Sequence, residues 1–558
     1  MTVPWALLQR VAVVVTLLGG AGTALYLDES GLIERLRHRF VLGVPWGTVV
    51  SVLGVLSVYL FVQGGLNHWY RPVVIPFRAW SYLAPLGMLT AGFSHVGPGH
   101  LLGNLFGTLT LAPIVEYAFG HYPRKRGSNS FGSLRTNPFV RSLVIFPTGV
   151  AIAGVVLTLF TLGPVIGFSG VVFAFAGFAL VRYPFGTVLA LAGSDVLGLA
   201  YRSLVSPTQV ASGRSVFITP WWSDIAIQGH AMGLLAGILL GALFVQRADE
   251  SAPRPARLWA GVVIVATMQS LWAVYWYRGG TEFVLFRAFG ASIIAIVAVL
   301  ITVAVTGSNR PLLRWFTSVD ADANDSAGRT SDWASISAQQ VGITALVILA
   351  SVLAGPAIPL NLVTAEGDVP GDPVTVDGYE VTYAERVPNG MVSAVPLEAF
   401  GESTQVNTSG VIVRNEDRQI WSTAVSKGQL AHSGQSRVVV GGVGWRKTVT
   451  AVRRGWQAID GGVAYRVRLV ADDANRTAFT SEPAQANLQI NGNNVSVAPA
   501  NGTFVLIVGT ENRTSRAPVP GKNSSVTLEN ITFTRQNKRV IAGYDGTNVT
   551  VLKKERYK

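Results

Sequence analysis

The chain has 558 residues, of which 49% are apolar and only 13% charged, with a formal net charge of +13 and no cysteine. That balance is too apolar and too weakly charged for an ordinary soluble protein, and the lack of cysteine excludes disulfides and thiolate metal centres. The positive excess on the apolar part sits mostly in short loops, which is a pattern of membrane topology, so nucleic acid is not expected as a partner.

The first apolar stretch, about 5–27, lacks a basic leading region and a clear cleavage site, and it reads as a retained span. Further runs of the roughly 20 apolar residues needed to cross a bilayer fall at about 41–64, 99–119, 138–160, 165–182, 185–203, 225–246, 257–276, 284–306 and 337–358. This divides the chain into an extra N-terminal span with a cytoplasmic loop (1–40), a six-span core (41–246), three more spans (247–360) with a polar loop at 307–336, and a tail (361–558). The tail alternates apolar and polar residues at 374–381, 410–413, 437–440, 465–470 and 503–508, with Gly, Asn and Pro turns between, which predicts an all-β, sandwich-like domain.

Read alternately, one set of loops holds Arg35, Arg37, Arg39, Arg124, Lys125, Arg126, Arg135, Arg141, Arg182, Arg247, Arg254, Arg257, Arg310, Arg314 and Arg329. The other set is sparse in cations. The positive-inside rule makes the first set cytoplasmic and both termini extracytoplasmic, in a multi-pass protein of the cell membrane. The tail agrees: eight of its fifteen asparagines begin Asn-x-Ser/Thr sequons, at Asn407, Asn475, Asn494, Asn501, Asn512, Asn523, Asn530 and Asn548. Glycan acceptors belong on an external surface. Asn324, a lone sequon in the 307–336 loop, is discounted.

In this orientation the spans beginning near 99, 165 and 225 all enter from outside. His100 and Asn104 share one helix face at i, i+4. Ser169 lies about four residues into its span and His230 about five, which puts all these groups roughly 5–10 Å below the outer surface. Polar groups at membrane depth usually face one another or a water-filled cavity. Gly229, Gly233, Gly237 and Gly241 form a small-residue stripe beside His230, and Ser169, Gly170, Ala174 and Gly177 offer a matching surface. Ser169 alone would read as a packing residue. Serine with histidine at matched depth reads as a nucleophile and its base, because a hydroxyl attacks only when a neighbour takes its proton.

The motifs then become specific. GFSG at 167–170, SHVGPGHLLGN at 94–104, EYAFG at 116–120 and GHAMGLLAG at 229–237 resemble the serine, His-x-x-x-Asn and histidine helices of the rhomboid intramembrane proteases. The resemblance covers about 41–246. It implies a six-helix rhomboid core; with the spans and the alternating tail outside it, the chain is expected to be a polytopic all-α membrane protein with about four additional transmembrane helices and a C-terminal all-β domain. The resemblance further implies a cofactor-independent Ser-His dyad of Ser169 and His230. His100, Asn104 and the Ser169 N–H would form the oxyanion hole, with Gly167 and Phe168 shaping the backbone. His95, Phe173, Gly170, Gly229 and Gly233 would support the site; Phe173 stands where the family often has tyrosine. The segment 65–98, with Trp69, Pro76 and Trp80, would be the family's half-submerged first loop.

The partners implied are transmembrane protein substrates within the lipid bilayer, with envelope glycoproteins reached through the β tail. Glu116 is expected to cap or tie a loop, Asp195 to make a structural hydrogen bond, and Asp224 to take no part in a triad. Other readings are an inactive rhomboid relative that binds membrane helices, a transporter, and an envelope-binding module anchored by the membrane half. A transporter would favour repeated halves with broken helices, and no such repeat is present. In the tail, no pocket or charge cluster identifies a ligand from sequence.

Overall fold

Apolar helices dominate the first 360 residues. The structure, a computed structural model, describes the chain apart from residues 1–4, 28, 123–130, 211–214, 249–250, 308–336, 366–368, 394–395, 397, 400, 473, 501 and 511–512. Nearly all of the loop expected at 307–336 (with Asn324), Arg124, Lys125 and Arg126, and the sequons at Asn501 and Asn512 therefore lie outside the described residues.

Seven described helices are long and apolar enough to cross a membrane: α1 (Trp5–Tyr26), α3 (Pro98–Phe119), α4 (Pro138–Leu159), α6 (Pro184–Val205), α7 (Ile227–Ala248), α9 (Arg287–Thr306) and α10 (Ala338–Leu360). Three shorter apolar helices, α2 (Trp46–Val62), α5 (Ser169–Arg182) and α8 (Pro255–Met268), complete the set. Helices α3, α4, α6 and α8 open with proline in the first turn. There its fixed φ suits a helix and its missing N–H costs nothing.

Two boundaries depart from the sequence reading. The span expected at 257–276 ends at Met268, and the one expected at 284–306 begins at Arg287. Between them, Tyr275–Gly279 and Glu282–Leu285 pair as an antiparallel hairpin. The aromatic run YWY followed by Arg-Gly-Gly favours a strand and a turn over continued helix, and Gly279 and Gly280 take positive φ. Residues 32–39, expected as loop, form a helix (Leu32–Arg39). Segment 65–98 contains a tight turn at Ile75–Phe77 and a short helix at Pro85–Thr90.

One buried carboxylate organises the end of the bundle opposite Ser169. Glu116, near the end of α3, accepts from Gly47 N and Thr48 N, each at 2.7 Å, and from Thr48 Oγ1 at 2.7 Å. It thus neutralises the unpaired amides at the start of α2. His121 Nε2 lies 2.6 Å from the same carboxylate, and its Nδ1 accepts from Val41 N. At the other polarity, Arg39 and Arg141 donate to the carbonyls of residues 117–120 that end α3.

The tail is strand-rich: its described residues form one eight-stranded sheet, two four-stranded sheets and a small two-stranded ladder. Its longest strand, Trp445–Ala458, pairs with Gln435–Gly442, Val463–Ala471 and, at its far end, Thr547–Lys554. Alternation buries Val449 and Ala451 in one cluster with Tyr379, Val381, Val411 and Val467. Trp456 and Ala458 enter a second cluster with Val495, Leu506, Phe533 and Val540. The period-2 reading of 374–381 as one strand needs correction: Val374–Val376 and Tyr379–Pro388 form a hairpin about Asp377-Gly378, both at positive φ, as a two-residue turn requires.

Replacing Glu116 by alanine strands several buried donors at once. The expected loss is about 3–5 kcal/mol, read as a lowered melting temperature of the purified protein. An unchanged melting temperature would show that other groups satisfy the α2 amides.

Candidate functional site

Helices α5 and α7 touch backbone to backbone. A methyl group at Gly233 would collide with the Gly170 carbonyl, one at Gly237 with the Ala174 carbonyl, and one at Gly177 with the Leu234 carbonyl. Small residues on each helix therefore admit the other's main chain, the close approach that stripes of this kind allow. The consequence lies at the shared end of the pair: His230 Nε2 is 2.8 Å from Ser169 Oγ. Phe173, one turn beyond Ser169, stacks on the imidazole with centroids 4.3 Å apart and planes inclined by 13°. His230 Nδ1 is buried and has no hydrogen-bond partner among the described residues. Asp224 is exposed. Among the described residues the geometry is a pair, with no third group hydrogen-bonded behind the histidine.

Before Ser169, the chain makes a turn that only glycine takes easily: Gly167 has φ 130°. The turn is pinned by Gly167 N donating to Ala91 O at 2.8 Å and by burial of the Phe168 ring. The His100 ring lies over this turn. A Cβ on Gly167 would stand 2.7 Å from His100 Nε2 and 3.7 Å from Asn104 Nδ2, so both side chains flank the backbone leading into Ser169. The Asn104 amide also meets His95 Nε2 at 2.9 Å. His95 is fully buried and is fixed by Gln63, which accepts from His95 N at 2.8 Å and donates to His95 O at 2.9 Å. A small cavity of about 30 Å³ opens beside Ser169, Gly167, Gly229 and His230, room for roughly one water or a small side chain. Gly229 borders it, facing Thr161.

Two supporting residues, and the placement of a third, escape the sequence reading. Gln63 is one. Asn361, fully buried where α10 meets the tail, donates from Nδ2 to Thr161 O at 3.1 Å and accepts at its carbonyl from Ser81 Oγ and Tyr82 N. It thereby joins segment 65–98 to the loop before Ser169. Trp80 is the third. Rather than lying half-submerged in the membrane, its indole is buried in the tail's first apolar cluster. Just before it in the chain, Ala79 N donates to Val165 O and Arg78 Nη1 to Pro164 O, both at 3.0 Å. Neither Gln63 nor Asn361 belongs to a motif, and their partners lie 32 and 200 residues away in sequence.

The hairpin 275–285 makes a further tie to the tail through Arg278 and Glu402, at 2.5 Å. The tail therefore docks at the same end of the bundle as Ser169. Asp195, expected to make a structural hydrogen bond, instead sits on the exposed face of α6 with no such bond among the described residues. Among the described residues, no group of His, Asp and Glu is arranged to hold a metal ion. Of the described sequons, Asn407, Asn475, Asn523, Asn530 and Asn548 are exposed and Asn494 is half-buried.

Residues 84–247 match the family model described as the Rhomboid domain. The match begins inside segment 65–98 and ends with α7, so it takes in Ser169, His230, His100 and Asn104 but not α1, α2, the helices after α7 or the tail. No curated protein and no solved structure matches the chain.

Two glycines where α5 meets α7, Gly233 and Gly170, should respond differently to a single methyl. Gly233→Ala should push the helices apart and abolish labelling of Ser169 by a fluorophosphonate. Gly170→Ala should be tolerated, because its Cβ would meet nothing closer than Leu157 at 3.6 Å. The reverse order of sensitivity would mean that the backbone contact does not set the Ser169–His230 distance.

Proposed function

From a chain that carries a rhomboid domain, a family generally made of intramembrane serine proteases, we propose an intramembrane serine endopeptidase that cuts transmembrane substrates near the outer membrane face. The observation that carries this reading is the 2.8 Å approach of His230 Nε2 to Ser169 Oγ beside a glycine turn flanked by His100 and Asn104. His230 takes the Ser169 proton as Oγ attacks the scissile carbonyl carbon. Negative charge then develops on the carbonyl oxygen. His100, the Asn104 amide and the Ser169 N–H are the donors aimed at that charge, with Gly167 and Phe168 holding the backbone. Donors fixed beforehand need no reorganisation as the charge appears.

The protonated His230 then passes its proton to the leaving amine, and the peptide bond breaks to give an acyl-Ser169. A water deprotonated by His230 hydrolyses that ester and restores the serine. No carboxylate backs the imidazolium; the Phe173 ring face does part of that work, since an aromatic face attracts a cation. His95 holds the Asn104 amide, Gly233 lets the helices meet, Gly170 presents the carbonyl that Gly233 admits, and Gly229 leaves room for Thr161. The small cavity beside Ser169 suits a small substrate residue at the cut. The chemistry calls for no cofactor.

In this reading the protein is a multi-pass protein of the cell membrane, with both termini and the β tail outside. The exposed tail sequons then serve as glycan sites, and the tail meets envelope glycoproteins. Docking of the tail at the Ser169 end of the bundle supports placing the site and the tail on one side.

Ser169→Ala and His230→Ala should each abolish cleavage of a single-span substrate in liposomes, and retention of more than a few per cent of turnover in either would defeat the dyad. Asn104→Ala should lower kcat by ~10²–10³ while leaving Ser169 open to slow fluorophosphonate labelling. An unchanged kcat would move Asn104 from catalysis to packing.

Topology has its own test, because the chain has no cysteine of its own. A membrane-impermeant maleimide on intact cells should label Ser433→Cys in the tail and leave Ser133→Cys in the basic loop unlabelled. Labelling of Ser133→Cys would invert the bundle and put the pair on the cytoplasmic side.

A further inference from the structure

The end of the tail farthest along the chain folds into a concavity of about 680 Å³ with an unusual lining. The turn between strands Ile531–Gln536 and Arg539–Tyr544 contributes Arg535, Lys538 and Arg539. The last strand, Thr547–Lys554, and the residues after it contribute Lys553, Lys554 and Arg556, and Lys522 reaches in from the loop before. Among the described residues, no acidic side chain lines the space. The sequence scatters these cations over 35 positions, and only strand pairing gathers them.

Their arrangement is costly for the empty protein. Arg539 stands directly opposite Lys553 across the ladder, and Lys554 N donates to Lys538 O, so like charges face each other twice. Directly opposed like charges destabilise a sheet. Among the described residues, none of Lys522, Lys538, Arg539, Lys553 and Lys554 takes part in an ion pair. The acid nearest in sequence, Glu555, is held by Arg453 and Tyr557 instead. Arg535 is braced by donating to Asn537 O and Pro520 O and lies over the Trp456 ring. A fixed guanidinium among unpaired ammonium groups in a concave wall concentrates positive potential.

We propose that this concavity binds an acidic glycan, a saccharide chain bearing carboxylate or sulfate groups, outside the membrane. Several anions spaced along one chain match cations spread across the whole cavity, each able to make a charge-assisted hydrogen bond. The amides of Gln536 and Asn537 suit sugar hydroxyls. Peptide recognition draws on apolar anchors seated in pockets, whereas among the described residues lining the space the one aliphatic side chain is Ile541 and none is aromatic. The bilayer is also a poor fit as ligand. The tail's hydrogen bonds to the membrane half include those of Asn361, Asn389, Glu402, Ser403, Thr408 and Arg446, whereas the basic wall is built from 522–556. This site stands whether or not Ser169 is a nucleophile.

The test uses the full-length protein in nanodiscs of zwitterionic lipid, with a fluorescent heparin oligosaccharide as probe and neutral dextran as its control. Wild type should bind the heparin probe and not dextran, with affinity that falls as salt rises. Arg539→Ser combined with Lys553→Ser should bind about tenfold or more weakly. Its melting temperature should not fall, because the change removes a repulsion. If it does fall, Lys522→Ser with Lys538→Ser, outside that opposed pair, must show the same loss of binding. Arg437→Glu, an exposed cation elsewhere in the tail, should leave binding intact.

Unaltered heparin binding by the paired variants, or equal binding of dextran, would overturn the site. Tighter binding of polyglutamate, or of phosphatidylglycerol vesicles, lost in the same variants, would overturn the glycan assignment.

Discussion

The close packing of α5 against α7 is the constraint from which the site follows. A serine hydroxyl and an imidazole on separate helices reach 2.8 Å only if the helix axes approach more nearly than ordinary side chains permit. Gly177, Gly233 and Gly237 remove those side chains. In a membrane there is no hydrophobic drive to force helices together, so close van der Waals contact and shape must do so. Each glycine also forgoes a buried side chain, and the Ser169–His230 geometry is the return on that loss.

The second half of the site is held from a distance. The Gly167 turn takes a conformation that its own sequence makes accessible but does not hold. Ala91, Ala79 and Arg78 pin the neighbouring backbone through segment 65–98. That segment is anchored in turn by Trp80 in the tail's core and by Asn361 at the junction. The β tail is thus structurally continuous with the loop that lies against the site. Burial of one indole in the tail core couples two domains that look independent by composition.

Electrostatics divides the molecule in the same spirit. At the far end of the bundle, the Glu116 carboxylate and the Arg39 and Arg141 guanidinium groups satisfy opposite helix termini, each charge placed where the helix dipole favours it. At the tip of the tail, by contrast, cations face cations without relief. A fold that pairs its charges carefully in one place and opposes them in another marks the second place as a surface with work to do.

Much of this was legible in the residues. Apolar runs located the helices, because crossing a bilayer demands length and composition that local sequence must supply. Matched depth placed Ser169, His230, His100 and Asn104 at one level, because helical rise is constant. The hairpin at 275–285 was not legible as such: an aromatic run looks as apolar as a helix until the glycine turn is weighed. Nor were Gln63, Asn361 and the buried role of Trp80, whose partners are distant in sequence and carry no motif. The basic concavity depends on which strands pair and in which register. The sequence by itself determined the spans, the periodicity of the tail and the chemistry-bearing residue types, since these arise from composition and short-range geometry. Only the tertiary structure decided which loop braces the Gly167 turn, where the tail docks and which cations converge, because those contacts follow from packing between segments up to hundreds of residues apart.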